Sequence, residues 1–164
     1  MNLRLELRYA VLISLLMLLW LALEFMVGLQ DTYVAYHPFV TVFALLIPLV
    51  GNYRALRAKR EQQHGKITFG QGLKTGLWIA GFSALFSIPV QLVFHFVINP
   101  DFFDTMIAHA VQQAELNKLN TAQATAQAQS FFCLQSYIPM SFIVTLILGL
   151  VFAAIMALGM RNEN

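Results

Sequence analysis

The sequence predicts an all-α membrane protein: a four-helix transmembrane bundle with an extracytoplasmic amphipathic helix between helices three and four. Three observations carry that expectation. Of 164 residues, 59% are hydrophobic and 11% are charged, less than half the ~25% charge that keeps a soluble domain wetted. The apolar residues fall into runs long enough to cross a hydrocarbon core of about 30 Å. The ten Lys and Arg residues gather on one side of those runs. The length fits one domain, residues 1–164. A net charge of +2 gives no basis for binding nucleic acid.

The first span covers residues 9–29 and is interrupted only by Ser14, Glu24 and Gly28. Arg4 and Arg8 before it resemble the start of a secretion signal. Its apolar run, Tyr9–Leu23, is at or beyond the ~7–15 residues of a signal core. No small-residue cleavage site follows, so the segment reads as an uncleaved anchor. The second span, residues 36–56, is weaker. Its clean apolar run Phe39–Val50 is short and contains Pro48, a length that also suits a re-entrant segment. Pro38 fits the first turn of a helix there. The third span, residues 70–98, would exceed ~40 Å as a straight helix. Tilt, protrusion or a kink at Pro89 absorbs the excess. The fourth span covers residues 131–160 and carries Pro139 about two turns in.

Charge parity decides the second span. If it crosses, Arg4, Arg8, Arg54, Arg57, Lys59, Arg60, Lys66, Lys74 and Arg161 share one side, and Lys118 alone takes the other. If it does not cross, the Arg54–Lys74 group is parted from Arg4 and Arg8. The positive-inside rule selects the first arrangement, with both termini in the cytoplasm. The outer segment, residues 99–130, then lies outside. Asn99 is placed there as N-cap, Pro100 as first helical residue, and Asp101 and Asp104 at the positive end of the helix dipole. Phe103, Met106, Ile107, Ala110 and Ala114 recur on one face, the pattern of an amphipathic helix on the membrane surface or the bundle. Asn120–Thr121 ends it, and an Ala/Gln-rich stretch, residues 122–129, leads helically into the fourth span.

Small residues recur every four positions at Gly72, Gly76, Ala80 and Ala84, and again at Gly149, Ala153 and Ala157. Such stripes let helix backbones approach closely in lipid, where packing drives association. Packing inside the bundle is the primary expectation, and a homodimer seam the alternative. Glu24 is the one carboxylate within a span and a site candidate on that ground. It precedes Leu29 by five residues, roughly 7–8 Å of helix. His95 stands at a similar depth below Asn99, with Gln91 one turn deeper and Gln135 entering the fourth span nearby. These four are expected to form an outer-leaflet polar cluster. Read functionally, it handles protons, a small solute or a metal; read structurally, it is a satisfied interhelical network or a snorkelling Glu24. No tight metal-ligand spacing such as H-x-x-x-H favours metal.

Arg54, Arg57, Lys59 and Arg60 would contact anionic lipid headgroups or fix orientation only. Lys74 snorkels to the same interface, and His64 and His109 are expected in solvent. Cys133 allows no internal disulfide and reads as a small apolar residue near a helix end. No nucleophile elbow, P-loop, metalloprotease motif or C-x-x-C is present. Gly65, Gly70 and Gly72 do not have dinucleotide-loop spacing.

The segment 64–76, HGKITFGQGLKTG, resembles the signature of the bacterial membrane family catalogued as domain of unknown function 4199. Members carry a Gly-x-Ile-Ser-Phe-x-x-Ala-like motif there, after a basic stretch. Asn99-Pro-Asp-Phe-Phe103 resembles the entry to that family's outer helix. The resemblance runs over nearly the whole chain in helix order and implies four inner-membrane helices and no particular activity. It places Gly65, Ile67, Phe69 and Gly70 at a turn and helix start. The chain departs from the family in Thr68, where Ser is usual, and in its Ala/Gln-rich outer segment. The reading as a whole is a non-enzymatic structural, assembly or accessory subunit. It needs no cofactor; its partners are membrane lipids and either further copies of itself or a larger membrane assembly. The alternative is a small oligomeric transporter or channel using Glu24 and His95.

Overall fold

Three of the long helices run through a proline, and one of them opens on a capping box. The computed structural model describes residues 3–160, so Arg161 lies outside the described residues. These residues form six helices: α1 (Arg4–Met26), α2 (Val34–Gln62), α3 (Phe69–Ile98), α4 (Phe102–Leu116), α5 (Thr121–Phe131) and α6 (Leu134–Met160). Four of them, α1, α2, α3 and α6, are long and apolar enough to cross a membrane. Large apolar side chains such as Leu15, Leu19, Ile147 and Ile155 cover their outward faces. That is the surface a hydrocarbon solvent requires.

α1 starts earlier than the apolar run suggested, because its first turn is folded against the bundle. Glu6 is buried there and accepts from Lys59 Nζ of α2 at 3.0 Å. α2 winds tightly before Pro48: Val34–Tyr36 and Thr41–Leu45 are 3₁₀ turns. Proline lacks the N–H that would bond the Ala44 carbonyl, and its ring crowds that carbonyl. α3 begins with a reciprocal cap: Thr68 Oγ1 accepts from the Gln71 backbone N–H, and Gln71 Oε1 accepts from the Thr68 N–H at 3.0 Å. Thr caps a helix as Ser does, somewhat less strongly, so Thr68 keeps the motif's local structure. Gly65 before it has φ +82°, a conformation that glycine adopts without strain. α3 carries Pro89 and ends in a wide turn, Phe94–Ile98.

α1 runs antiparallel to α2, as Glu6–Lys59 at one end and Glu24–His37 at the other show. α3 and α6 are also antiparallel. Their small residues interlock as Gly72 with Ala157, Gly76 with Ala153 and Ala80 with Gly149. Both stripes therefore face each other within the chain, which is the packing reading of that pattern. In the ring of spans, α3 touches α1 and α6, and α2 touches the same two from the other side. One end of the ring holds the basic α2–α3 connection, and the other holds the α4–α5 hairpin.

The hairpin differs from expectation in its start. Asp101, without a side-chain cap, precedes α4. Asn99 donates its side-chain amide to Gln30 Oε1 at 3.0 Å instead of capping the helix. The buried face of α4 is Phe102, Met106 and Ala114, displaced by one residue at its start from the expected set. α5 is a separate helix, capped by Asn120, and the chain breaks at Phe132–Cys133 before α6.

Candidate functional site: a polar network above a central cavity

Glu24 lies in the last turn of α1, and its burial forces it to find partners. The Trp20 indole N–H, one turn earlier on the same face, donates to Oε1 at 2.8 Å. His37 Nε2, in the first α-helical turn of α2, stands 3.5 Å from Oε2. Gln30 Nε2 lies at 3.5 Å from the same oxygen, and the Thr41 hydroxyl faces the carboxylate as well. Gln30 is 1% exposed and links this group to Asn99 at the end of α3. One carboxylate thus ties the α1–α2 turn to α3.

The structure does not bring the other three expected members to Glu24. His95 is buried in an aromatic box. It stacks on Phe103 with ring centroids 4.3 Å apart and meets Phe94, Phe102 and Tyr137 at 5.0–5.6 Å. Neither of its ring nitrogens has a hydrogen-bond partner among the described residues. Its ring contacts lie in the wide final turn of α3, on α4 and on α6. Gln91 donates to Ser141 Oγ of α6 at 3.1 Å. Gln135 is exposed. His37, at the start of the second span, takes the place expected of His95.

Beneath this network the four spans enclose a cavity of about 290 Å³. Its walls are apolar residues such as Ile13, Met17, Ile79 and Leu148, with neutral polar groups from Thr41, Asn52, Ser83, Gln91, Ser141 and Thr145. Asn52 Nδ2 donates to the Pro48 carbonyl at 2.8 Å, while its Oδ1 is buried without a partner among the described residues. Ser83 Oγ is likewise buried and unpaired. Both oxygens are fully buried, behind the cavity's accessible surface, where polar atoms are normally satisfied. A smaller cavity of about 60 Å³ adjoins, sharing Ser83, Gln91, Ser141 and Thr145 and adding Ser14 and Ser87. Thr41 borders the larger cavity and faces Glu24, so the two features are continuous.

At the opposite end Lys59 pairs with Glu6, and Thr75 Oγ1 reaches the same oxygen at 3.5 Å. Arg57 pairs with Glu61 at 3.2 Å, and Arg60 donates to the Gly65 carbonyl at 2.8 Å. Of the four expected headgroup contacts, Arg54 has no polar partner among the described residues. The motif residues form the α2–α3 connection: Ile67 is buried, Phe69 opens α3, and Gly70 follows it exposed. Among the described residues no group of three His, Cys, Asp or Glu is placed to hold a metal ion.

Sequence reasoning passed over Gln30, His37, Asn52 and Glu6. Trp20–Glu24 was legible as an i, i+4 pair, and Asn52 stands four residues after Pro48. Glu6 lies outside the apolar run that marks the first span. No curated protein and no solved structure matches the chain. The model of one family does match, over residues 8–162, and includes every feature described above except Glu6. The chain belongs to the family described as protein of unknown function DUF4199.

Proposed function

We propose that the chain is a non-enzymatic accessory protein of a bacterial inner membrane, whose working site is the central cavity. The occupant is a small, neutral, mostly apolar molecule with one hydrogen-bond donor. The observation that supports this is the wall itself: apolar side chains with scattered neutral polar groups from Thr41, Gln91, Ser141 and Thr145, and no charged residue. A charged ligand would meet no countercharge among the lining residues, and burying it unpaired is costly. The distribution of basic residues puts both termini in the cytoplasm and the α4–α5 hairpin outside. Because the small-residue stripes are engaged within the chain, a partner subunit or a second copy packs on another face.

The test uses 1-decanol as probe on the purified chain in detergent. Decanol raises the thermal midpoint of the wild type and does not raise that of Ser83→Leu, whose side chain fills the cavity. Equal behaviour of the two proteins removes the reading. A second reading, a small transporter, is favoured by the contact of Thr41 with both Glu24 and the cavity. It requires that Glu24→Gln or His37→Ala abolish a solute or proton flux in proteoliposomes. Unchanged flux would reject it.

A further inference from the structure

A second recess, separate from the central cavity, lies on the lipid-facing side between α1 and α2. It is a furrow of about 420 Å³. Leu12, Leu16, Leu46 and Val50 form its exposed walls. Gly51 lets the helices close at its floor, for a Cβ there would stand 2.5 Å from Ile13 Cγ1. Tyr9 and Arg54 stand at its basic end. From Leu46 to Arg54 the helix rises roughly 12 Å, most of one ~15 Å leaflet. The furrow thus has the depth of an acyl chain and one cation at the headgroup level.

We propose that it is a binding site for an anionic phospholipid of the leaflet at the basic end, with the acyl chain in the furrow and the phosphate on Arg54. Charge complementarity selects this occupant. Lys59, Arg57 and Arg60 have protein partners, whereas Arg54 has none among the described residues, and it is the one charged side chain lining the furrow. Its guanidinium fork matches phosphate oxygens in pairs. Tyr9 has the amphipathic ring that membrane interfaces favour. This inference does not rest on the central cavity.

The experiment reconstitutes the full chain in nanodiscs of phosphatidylglycerol and phosphatidylethanolamine, extracts it into mild detergent and weighs retained lipid by native mass spectrometry. The wild type retains phosphatidylglycerol in preference to phosphatidylethanolamine. Arg54→Gln lowers that retention about fivefold, the effect of one interfacial cation. Val50→Trp, which fills the furrow and leaves Arg54 in place, lowers it as well. Arg57→Gln retains lipid as the wild type does. Arg54 and Val50 are exposed, so these variants keep the fold, which circular dichroism verifies. Undiminished retention by Arg54→Gln or Val50→Trp overturns the proposal. So does an equal loss in Arg57→Gln, which would indicate diffuse attraction to a basic surface.

Discussion

Gly76 of α3 faces Ala153 of α6 with no room between them for one more carbon: a Cβ on the glycine would stand 3.0 Å from the alanine Cα and closer still to its methyl. This contact sits in the middle of three such pairs, so the two backbones approach along the basic half of the bundle. Gly76→Ala is expected to lower stability by about 1–3 kcal/mol, the usual cost of overpacking. Gly81, on the same helix, has open space where a Cβ would be. Gly81→Ala is expected to raise stability by about 0.5–1 kcal/mol through helix propensity. Thermal or denaturant unfolding in detergent micelles measures both.

The pair Glu6–Lys59 holds the basic end together, and its burial is uneven: Glu6 is 3% exposed at the side chain and Lys59 is 23%. Lys59→Met leaves a carboxylate with only the long contact to Thr75, and a cost of about 2–3 kcal/mol follows, below the figure for a fully buried pair because Lys59 reaches solvent. Glu6→Leu combined with Lys59→Met is expected to recover most of that loss. A double-mutant cycle in the same unfolding assay gives the coupling.

Asn99 and Gln30 fasten the hairpin end. Asn99→Ala removes the donor to Gln30 Oε1, and about 1–2 kcal/mol of stability should go with it. Hydrogen exchange would locate the effect: the backbone of residues 27–37 should exchange faster, and the α3–α6 interface should be unchanged.

Cys133 is the chain's one cysteine and lies just before α6. Its thiol donates to Ser136 Oγ at 3.5 Å, and the Ser136 hydroxyl and backbone N–H beside the sulfur hold it below the ordinary range for cysteine. A lowered value means a larger thiolate fraction near neutral pH. Alkylation by iodoacetamide at neutral pH should therefore slow in Ser136→Ala. In strongly alkaline solution both proteins are fully ionised, and their rates should converge.

Much of the architecture was legible because its signals are one-dimensional. Span length, proline position and the four-residue spacing of Gly72, Gly76 and Ala80 depend on helix geometry alone, and the matching stripe at Gly149, Ala153 and Ala157 could be found the same way. The candidate site was legible only in its anchor. An ionisable residue inside a span stands out, which exposed Glu24. Its partner did not stand out, because depth along a helix does not fix the direction in which a side chain points. His95 has the right depth, but the wide last turn of α3 rotates it into Phe103 and Tyr137. His37 falls at the start of the expected second span, but that position alone does not show that its ring turns toward Glu24. The cavity was invisible for a further reason: it lies between tightly wound α2 before Pro48 and small side chains such as Ala80 and Ser83 of α3 and Ser141 and Gly149 of α6, a property of the assembled ring.

The central claim is that α2 crosses the membrane, which puts the basic end on one side and the Glu24–His37 network and hairpin on the other. Single cysteines introduced into Cys133→Ser test this directly. In spheroplasts treated with a membrane-impermeant maleimide, Lys118→Cys should label before lysis and Gln62→Cys only after it. Labelling of both from the outside, or of neither, would contradict the four-span arrangement.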